Sequence, residues 1–477
     1  MTESPDIKML SDKGPDGAGE EGSKDTDFYF QYYSSLQSQA NMLGDTARTE
    51  AYRRAILGNA KVAFQGKQVM DLGAGSGILS YMAAQAGAEQ VVAVEASSMA
   101  EKMSQLISLS EQSDLNPHLR SIRVVRGKIE TPSTQAEIGS YLSGDGEADG
   151  KVDTIVSEPI GVLLFHERMV ESFLMARDLY LKPNGTLYPC SGKLWFVPLE
   201  DKALWTETET KASFFNQRLF GTDFSPLLDA AREEVFSQPV VGPINPATLF
   251  GEAECPRNFD FYTLTQKELE KFEVEVEWDV SKVGLIHGIA SWFDLSFLPP
   301  RGTEPLSSSP ENDENSENEL LRAAWAAVPT PAEMAQQAAV YSYYGTGGEN
   351  VLDPPELPEA PEDGWEVELD TGPFAQRTHW QQCRLLLSEP LAVNRGSRVH
   401  ATITFTAHES RSYYIDLDMW VVPENNINGM AQHVDERTRR RMRWNLAQQT
   451  LNYSYAEESA VAGQAAAAWK GVTSAYS

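Results

Sequence analysis

Two glutamates, Glu158 and Glu167, flank the segment Pro159-Ile160-Gly161-Val162-Leu163-Leu164-Phe165-His166 and are followed by Arg168 and Met169. Glu158 lies between an apolar run and a proline, and Glu167 follows the apolar run 162–165, so neither has the setting of an ordinary surface acid. A pair of carboxylates suits a planar cation with five fixed donors, which it holds through charge-assisted, bidentate bonds; that cation is a guanidinium. A guanidinium is a poor nucleophile because its charge is spread over its nitrogens and its pKa lies above about 12. Two carboxylates draw that charge to one side and leave the other terminal nitrogen facing an electrophile, so that in-line displacement follows from alignment and electrostatics. The competing reading is structural: both acids pair with neighbours such as Arg168 and only hold the loop.

A second constellation sits upstream. Val69-Met70-Asp71-Leu72-Gly73-Ala74-Gly75-Ser76-Gly77 places three glycines at a strand-to-helix turn, where a ligand approaches the backbone and φ turns positive. A dinucleotide fingerprint requires glycine at position 78, where this chain has Ile78; the spacing favours an adenosyl ligand without a pyrophosphate. Glu95 closes the next strand-like run, placed to accept both hydroxyls of a ribose. Glu130, in Gly127-Lys128-Ile129-Glu130, is either an acceptor for an adenine amino group or a solvated loop acid.

These residues need a framework that gathers strand ends. Apolar runs at 68–72 and 90–94, with helical periodicity at 78–86 between them, predict a βαβ unit. Strands at 122–125 and 154–157 and a helix near 171–181 extend it into a doubly wound parallel sheet, whose strand carboxyl ends are the place for ligands. Residues 28–57 are aromatic and amphipathic and read as helical up to Gly58, and 143–150 read as a loop. After Tyr188 the character changes to short separated runs at 193–197, 274–278, 290–297, 384–387 and 401–405, which predict an all-β second domain interrupted by a helical arm at 214–236.

At 477 residues, 41% of them apolar, the chain can bury two cores. A net charge of −30 argues against direct binding of nucleic acid and favours basic partners such as Arg-rich protein tails. Cys190, Cys255 and Cys383 are widely spaced and form no CxxC pair, which fits a reducing compartment and leaves no cysteine-based zinc site; no metal is expected. The start MTESPDIKML lacks the pattern of a signal peptide, and no apolar run approaches the roughly 18 residues of a membrane span, so neither secretion nor membrane insertion is expected. Residues 1–26 read as a disordered acidic tail. Between 302 and 376 the only basic residue is Arg322, which predicts a solvated insertion with a helix near 319–327, either steering basic substrates or inert. Residues 437–443 (RTRRRMR) read either as a nuclear localisation signal or as one face of a mixed-charge helix.

From Tyr29 to about Trp420, the inserts apart, the chain resembles the protein arginine methyltransferases, and within them the coactivator-associated subfamily. The resemblance is carried in family order by Tyr29-Phe30-Gln31-Tyr32-Tyr33, Asp45-Thr46-Ala47-Arg48-Thr49, Val94-Glu95-Ala96-Ser97, the stretch from Ser157-Glu158-Pro159 to Glu167-Arg168-Met169, and Thr378-His379-Trp380. Leu219-Phe220-Gly221-Thr222-Asp223 and Gln238-Pro239-Val240-Val241 are similar to that subfamily's dimerisation arm. It implies an α/β fold: a class I (Rossmann-like) methyltransferase sheet, then a β-barrel, with the arm closing a head-to-tail homodimer. The division expected is an acidic tail (1–26), a cofactor domain (27–188), a β-barrel domain (189–424) with an arm at 205–245 and an acidic insertion at 302–376, and a C-terminal extension (425–477).

The implied cofactor is S-adenosyl-L-methionine, and the implied products are mono- and asymmetric dimethylarginine (type I) in histones and other proteins, made in nucleus and cytoplasm. By the same resemblance Arg48 holds the cofactor carboxylate with Gln39 nearby. Gly73, Gly75 and Gly77 form the loop at its methionine end, Glu95 takes the ribose and Glu130 the adenine. Glu158 and Glu167 are the arginine clamp, and Tyr29 and Tyr33 line the active site. Asp45 and His379 form a supporting pair that places the clamp and relays the released proton, or is purely structural. Trp380 stacks beside the substrate arginine or packs the interface. The chain departs from the pattern at Val162, where relatives often carry an aromatic residue, and at His166, where they often carry Asn. Only the short acidic tail precedes Tyr29, so the subfamily's folded N-terminal domain is not expected. Two other classes compete: a catalytically weak scaffold that keeps cofactor and partners, and a small-molecule methyltransferase. The intact motifs oppose the first, and the second domain with its Thr-His-Trp sequence opposes the other.

Overall fold

Five short runs, Gln68–Leu72 (β1), Gln90–Glu95 (β2), Ile122–Arg126 (β3), Val152–Ser157 (β4) and Leu181–Tyr188 (β5), form a parallel sheet in the order β3-β2-β1-β4-β5 in the computed structural model. Residues 33–113, 116–143, 150–300, 357–422 and 436–451 are described. The acidic tail, Tyr29, most of the 143–150 loop and the helix expected near 319–327 lie outside them. The central strands are buried along almost their whole length, as a sheet covered on both faces requires. The order reverses between β1 and β4, which lie side by side with Leu72 opposite Ser157. This switch point brings Gly73, one residue past β1, beside Glu158, one residue past β4.

Six helices accompany the sheet: Leu36–Leu43 (α1), Thr46–Gly58 (α2), Ile78–Gln85 (α3), Met99–Ser113 (α4), Pro132–Leu142 (α5) and Met169–Tyr180 (α6). The region expected to be helical up to Gly58 is broken into α1 and α2 at Gly44 and Asp45. Asp45 is the N-cap of α2, its side chain accepting from the Arg48 amide. The far end of α2 is closed by Trp365: a Cβ on Gly58 would lie 2.8 Å from its ring, and Asn59 exchanges hydrogen bonds with both main-chain polar groups of Trp365.

Beyond Tyr188 two antiparallel sheets make a barrel-like domain. One is built around Ser191–Leu199, Gly284–Phe297 and Gln382–Val393; the other comprises Lys271–Asp279, Arg398–His408, Ser412–Val422 and Arg439–Asn445. Strict alternation in Lys271–Asp279 turns Phe272, Val274, Val276 and Trp278 inward, where Phe272 stacks on Phe405 at 4.7 Å. Phe165 plugs into this core against Phe259 and Phe272, at 4.8 and 5.3 Å, so the loop after β4 is anchored in the second domain.

Three features differ from the sequence reading. Val367–Asp370, inside the span assigned to the acidic insertion, is a strand paired with Gly284–Phe297, and it sets Asp370 opposite the half-buried Asp294. Residues 439–445 are a strand and not a helix face: Arg439 and Arg443 pair with Asp418 and Asp416 across the sheet. The arm is two helices, Lys202–Ser213 (α7) and Leu228–Phe236 (α8), joined through a two-stranded hairpin with Phe220 fully exposed at its turn.

Candidate active site

A cleft at the switch point is lined by Tyr33, Gln39, Arg48, Gly73, Gly75, Glu95, Glu158, Glu167 and His379, together with Met42, Ile160 and Met169. The glycine loop forms its floor. Gly75 has φ 53°, and a Cβ there would sit 3.0 Å from Gln39 Oε1, so only glycine leaves the passage open. Gln39 ties the loop to the N-terminal region: its Oε1 accepts from the Ser76 amide at 2.9 Å, and its Nε2 donates to the Tyr33 carbonyl at 2.9 Å. The Glu95 oxygens accept from the amides of Gly75 and Ser97, at 2.8 and 2.7 Å. Each keeps a further lone pair for a hydroxyl donor.

Arg48 points from α2 to the end of β4, where Nη2 donates to Glu158 Oε2 at 2.7 Å and Nη1 to the Met42 carbonyl at 3.1 Å. Burial opposes its charge, yet Glu158, Tyr52 and Asp45 together outweigh this and raise its pKa, so it is a permanent cation. Its Nε is buried with no acceptor among the described residues. Such an orphaned charged donor, on a side chain that lines the cleft with the glycine loop, fits the carboxylate of a cofactor.

The loop after β4 is bent hard. Leu163, Leu164, Glu167 and Arg168 all have positive φ, between 52° and 72°, which side chains other than glycine seldom adopt. Glu167 receives the Tyr33 hydroxyl at 2.9 Å. Arg168 pairs with Glu171, and Glu167 lines the cleft.

Asp45 lies behind His379. Its Oδ2 accepts from both the main-chain amide and Nδ1 of His379, each at 2.7 Å, so one side chain of the first domain holds a histidine of the second. Burial pushes the Asp45 carboxyl up, but the bonds from His379 and Arg48 outweigh it and hold the group below its usual range. Trp380 does not line the cleft; it is buried, packs edge-on against Phe293 and donates to the Ile160 carbonyl at 3.1 Å, bracing the loop after Glu158. Gly77 is also outside the lining, because its φ of 92° and the Tyr81 ring, 2.6 Å from a Cβ there, make it a packing glycine. Glu130 is exposed, accepts from the Ser172 hydroxyl at 2.5 Å and is not brought to the cleft.

Asp71, given no role from sequence, is wholly buried beneath the loop. Burial pushes its carboxyl up to about 7, against the Ser80 hydroxyl that donates to it at 2.6 Å. An acid inside an otherwise apolar strand was the available signal. Met42 and Met169 gave none beyond their neighbours, since a methionine at helical spacing reads as core.

Residues 191–319 match the family model described as the arginine methyltransferase oligomerization subdomain, and residues 56–158 match that of ribosomal protein L11 methyltransferase. The chain is 34% identical over 393 residues to the probable histone-arginine methyltransferase CARM1 of Oryza sativa subsp. indica, covering 82% of this chain and 58% of that protein. It is 34% identical over 395 residues to the histone-arginine methyltransferase CARMER of Drosophila persimilis, with the same shares covered. The chain thus spans a little over half the length of these curated relatives. Among solved structures, protein arginine methyltransferase 10 of Arabidopsis thaliana shares the fold with a TM-score of 0.62 at 23% identity, covering 88% of this chain and 100% of that one.

Proposed function

We propose that this chain is a protein arginine methyltransferase that transfers methyl groups from S-adenosyl-L-methionine to arginine side chains of other proteins, a reading supported by its similarity to histone-arginine methyltransferases. The observation that carries the proposal is that Glu158 and Glu167 line one cleft with the glycine loop and Glu95. When bound, S-adenosyl-L-methionine supplies an electrophilic sulfonium methyl. Arg48 holds its carboxylate, the loop at Gly73 and Gly75 admits its methionine end, and Glu95 accepts its ribose hydroxyls. Gln39 keeps the loop in place, and Tyr33 holds the Glu167 carboxylate.

Glu158 and Glu167 accept hydrogen bonds from the substrate guanidinium, drawing its charge toward themselves and fixing the opposite nitrogen in the line of attack. That nitrogen must shed a proton. His379, with Nδ1 held by Asp45, takes it on Nε2 or leaves it to the nearby carboxylates, while the Asp45 charge stabilises the imidazolium.

The products are mono- and asymmetric dimethylarginine, and the substrates are basic proteins including histones, drawn by the net charge of −30. Action in the nucleus and the cytoplasm goes with such substrates. The arm, with Phe214, Phe220 and Leu227 exposed, closes a head-to-tail homodimer. The test is mass spectrometry of a histone mixture and an Arg-rich peptide after incubation with the protein and labelled S-adenosylmethionine. Asymmetric dimethylarginine supports the reading; cofactor binding without methylated arginine refutes it in favour of the scaffold.

A further inference from the structure

We propose that Arg411, in the turn between the strands Arg398–His408 and Ser412–Val422, is a positioning residue that sets the second clamp carboxylate from the barrel side; this rests on the arginine-methylation reading above. Glu167 and Arg168 hold left-handed backbone angles, φ 72° and 54°, which cost energy and persist only where the surroundings over-determine them. One hairpin turn of the barrel supplies part of those surroundings. Arg411 Nε donates to the Glu167 carbonyl at 2.9 Å, and its Nη2 reaches the Met169 sulfur at 3.5 Å. Ser412, fully buried, meets His166 Nδ1 at 2.9 Å.

Positions 166, 167 and 169 are thus fixed from a single turn of the other domain, with Glu167 at their centre. Arg411 itself has φ 51°, so the turn carries strain of its own to present this side chain. Burial, and then the charge of His408, hold the His166 pKa down at about 4, so the Ser412 link is made with a neutral ring across the physiological range. The division of labour is clear: Tyr33 holds the Glu167 carboxylate, and Arg411 holds its backbone with a charge-assisted bond. Arg411 does not line the cleft, so it acts through Glu167.

The experiment compares wild type, Arg411→Ala, Arg411→Lys, Glu167→Gln and the double variant Arg411→Ala/Glu167→Gln. It reads methylation of an Arg-rich peptide, S-adenosylhomocysteine affinity and Tm. Arg411→Ala lowers kcat/KM about 10- to 100-fold, through both kcat and weaker peptide binding, with cofactor affinity changed less than about twofold. Arg411→Lys recovers part of the loss. In the Glu167→Gln background the alanine substitution adds nothing, because the group it positions is already disabled. A loss that multiplies in the double variant, or one that tracks a fall in cofactor affinity and Tm, overturns the proposal. Should the wild type methylate no arginine, the functional reading fails separately. Binding of the same peptide to the S-adenosylhomocysteine-loaded protein then decides, weaker binding by Arg411→Ala supporting the positioning role and equal binding overturning it.

Discussion

Arg48 and Glu158 form a salt bridge of 2.7 Å with side chains only 7% and 12% exposed, joining α2 to the end of β4. The carboxylate assigned to a substrate guanidinium is therefore already in contact with one of the protein's own. Removing one member of a buried pair leaves the other charged and unsolvated, at a cost of about 3–5 kcal/mol. Glu158→Gln is expected to lower Tm as well as to lose methyl transfer, and thermal unfolding beside a methylation assay checks both.

Glu167→Gln should behave differently. Tyr33 can still donate to the amide oxygen, so stability changes by no more than about 1 kcal/mol. Cofactor binding persists, while methyl transfer falls about 10²- to 10³-fold because the carboxylate no longer draws the guanidinium charge. Activity near wild type would remove the clamp from the mechanism.

Asp45→Asn loses the charge behind His379 and should reduce turnover about 10- to 100-fold. It also changes the acid limb of stability. A carboxyl whose folded pKa is depressed contributes stability that is full above its unfolded pKa of about 3.9 and is lost as pH falls through the folded value. The gap in Tm between wild type and Asp45→Asn is thus widest near neutrality and closes in acid, which a pH series of melting curves measures.

Asp294 gives the opposite sign. Burial first, and then the charge of Asp370 across the strand pair, push its carboxyl well above the usual range, while Trp195 Nε1 donates to it at 2.6 Å. The folded state then keeps a proton that the unfolded chain has released, so this contribution is greatest in acid and declines as pH rises from about 3.9 toward the folded value. Asp294→Asn, which can still accept from Trp195, should gain stability relative to wild type between pH 5 and 8 on that rule.

Phe220, fully exposed at the tip of the arm hairpin, is the residue whose replacement most directly tests self-association. Phe220→Asp should shift sedimentation from dimer to monomer with the monomer's Tm intact. An unchanged dimer would place the interface elsewhere.

Four strands of the parallel sheet were legible because they are largely apolar runs, and β1 was read to the residue, whereas Leu181–Tyr188 was missed because Lys182, Pro183, Asn184 and Gly185 interrupt its apolar pattern. The ten-residue span from Glu158 to Glu167 told of a shared purpose through its chemistry, and the cleft lining contains both. The break at Asp45 was hidden, since the amphipathic pattern on either side masks an N-cap whose carboxylate serves a histidine more than 300 residues away. The strand at 439–445 was hidden by its arginines: pairing with Asp416 and Asp418 across a sheet is long-range information that no local window holds. Arg411 was silent for the same reason, because its partner is a carbonyl, and carbonyls have no letter in a sequence.

Phe297 and Val367 face each other on paired strands, and two residues before Val367 the chain is clasped to Asn59. Whatever length of sequence joins these strands, its two ends meet the fold at fixed addresses. Doubling such a connection costs only about 0.6 kcal/mol in closure entropy. This is a place where a lineage can gain or shed sequence without retuning the chemistry, and where an engineer could graft a binding module beside the reaction.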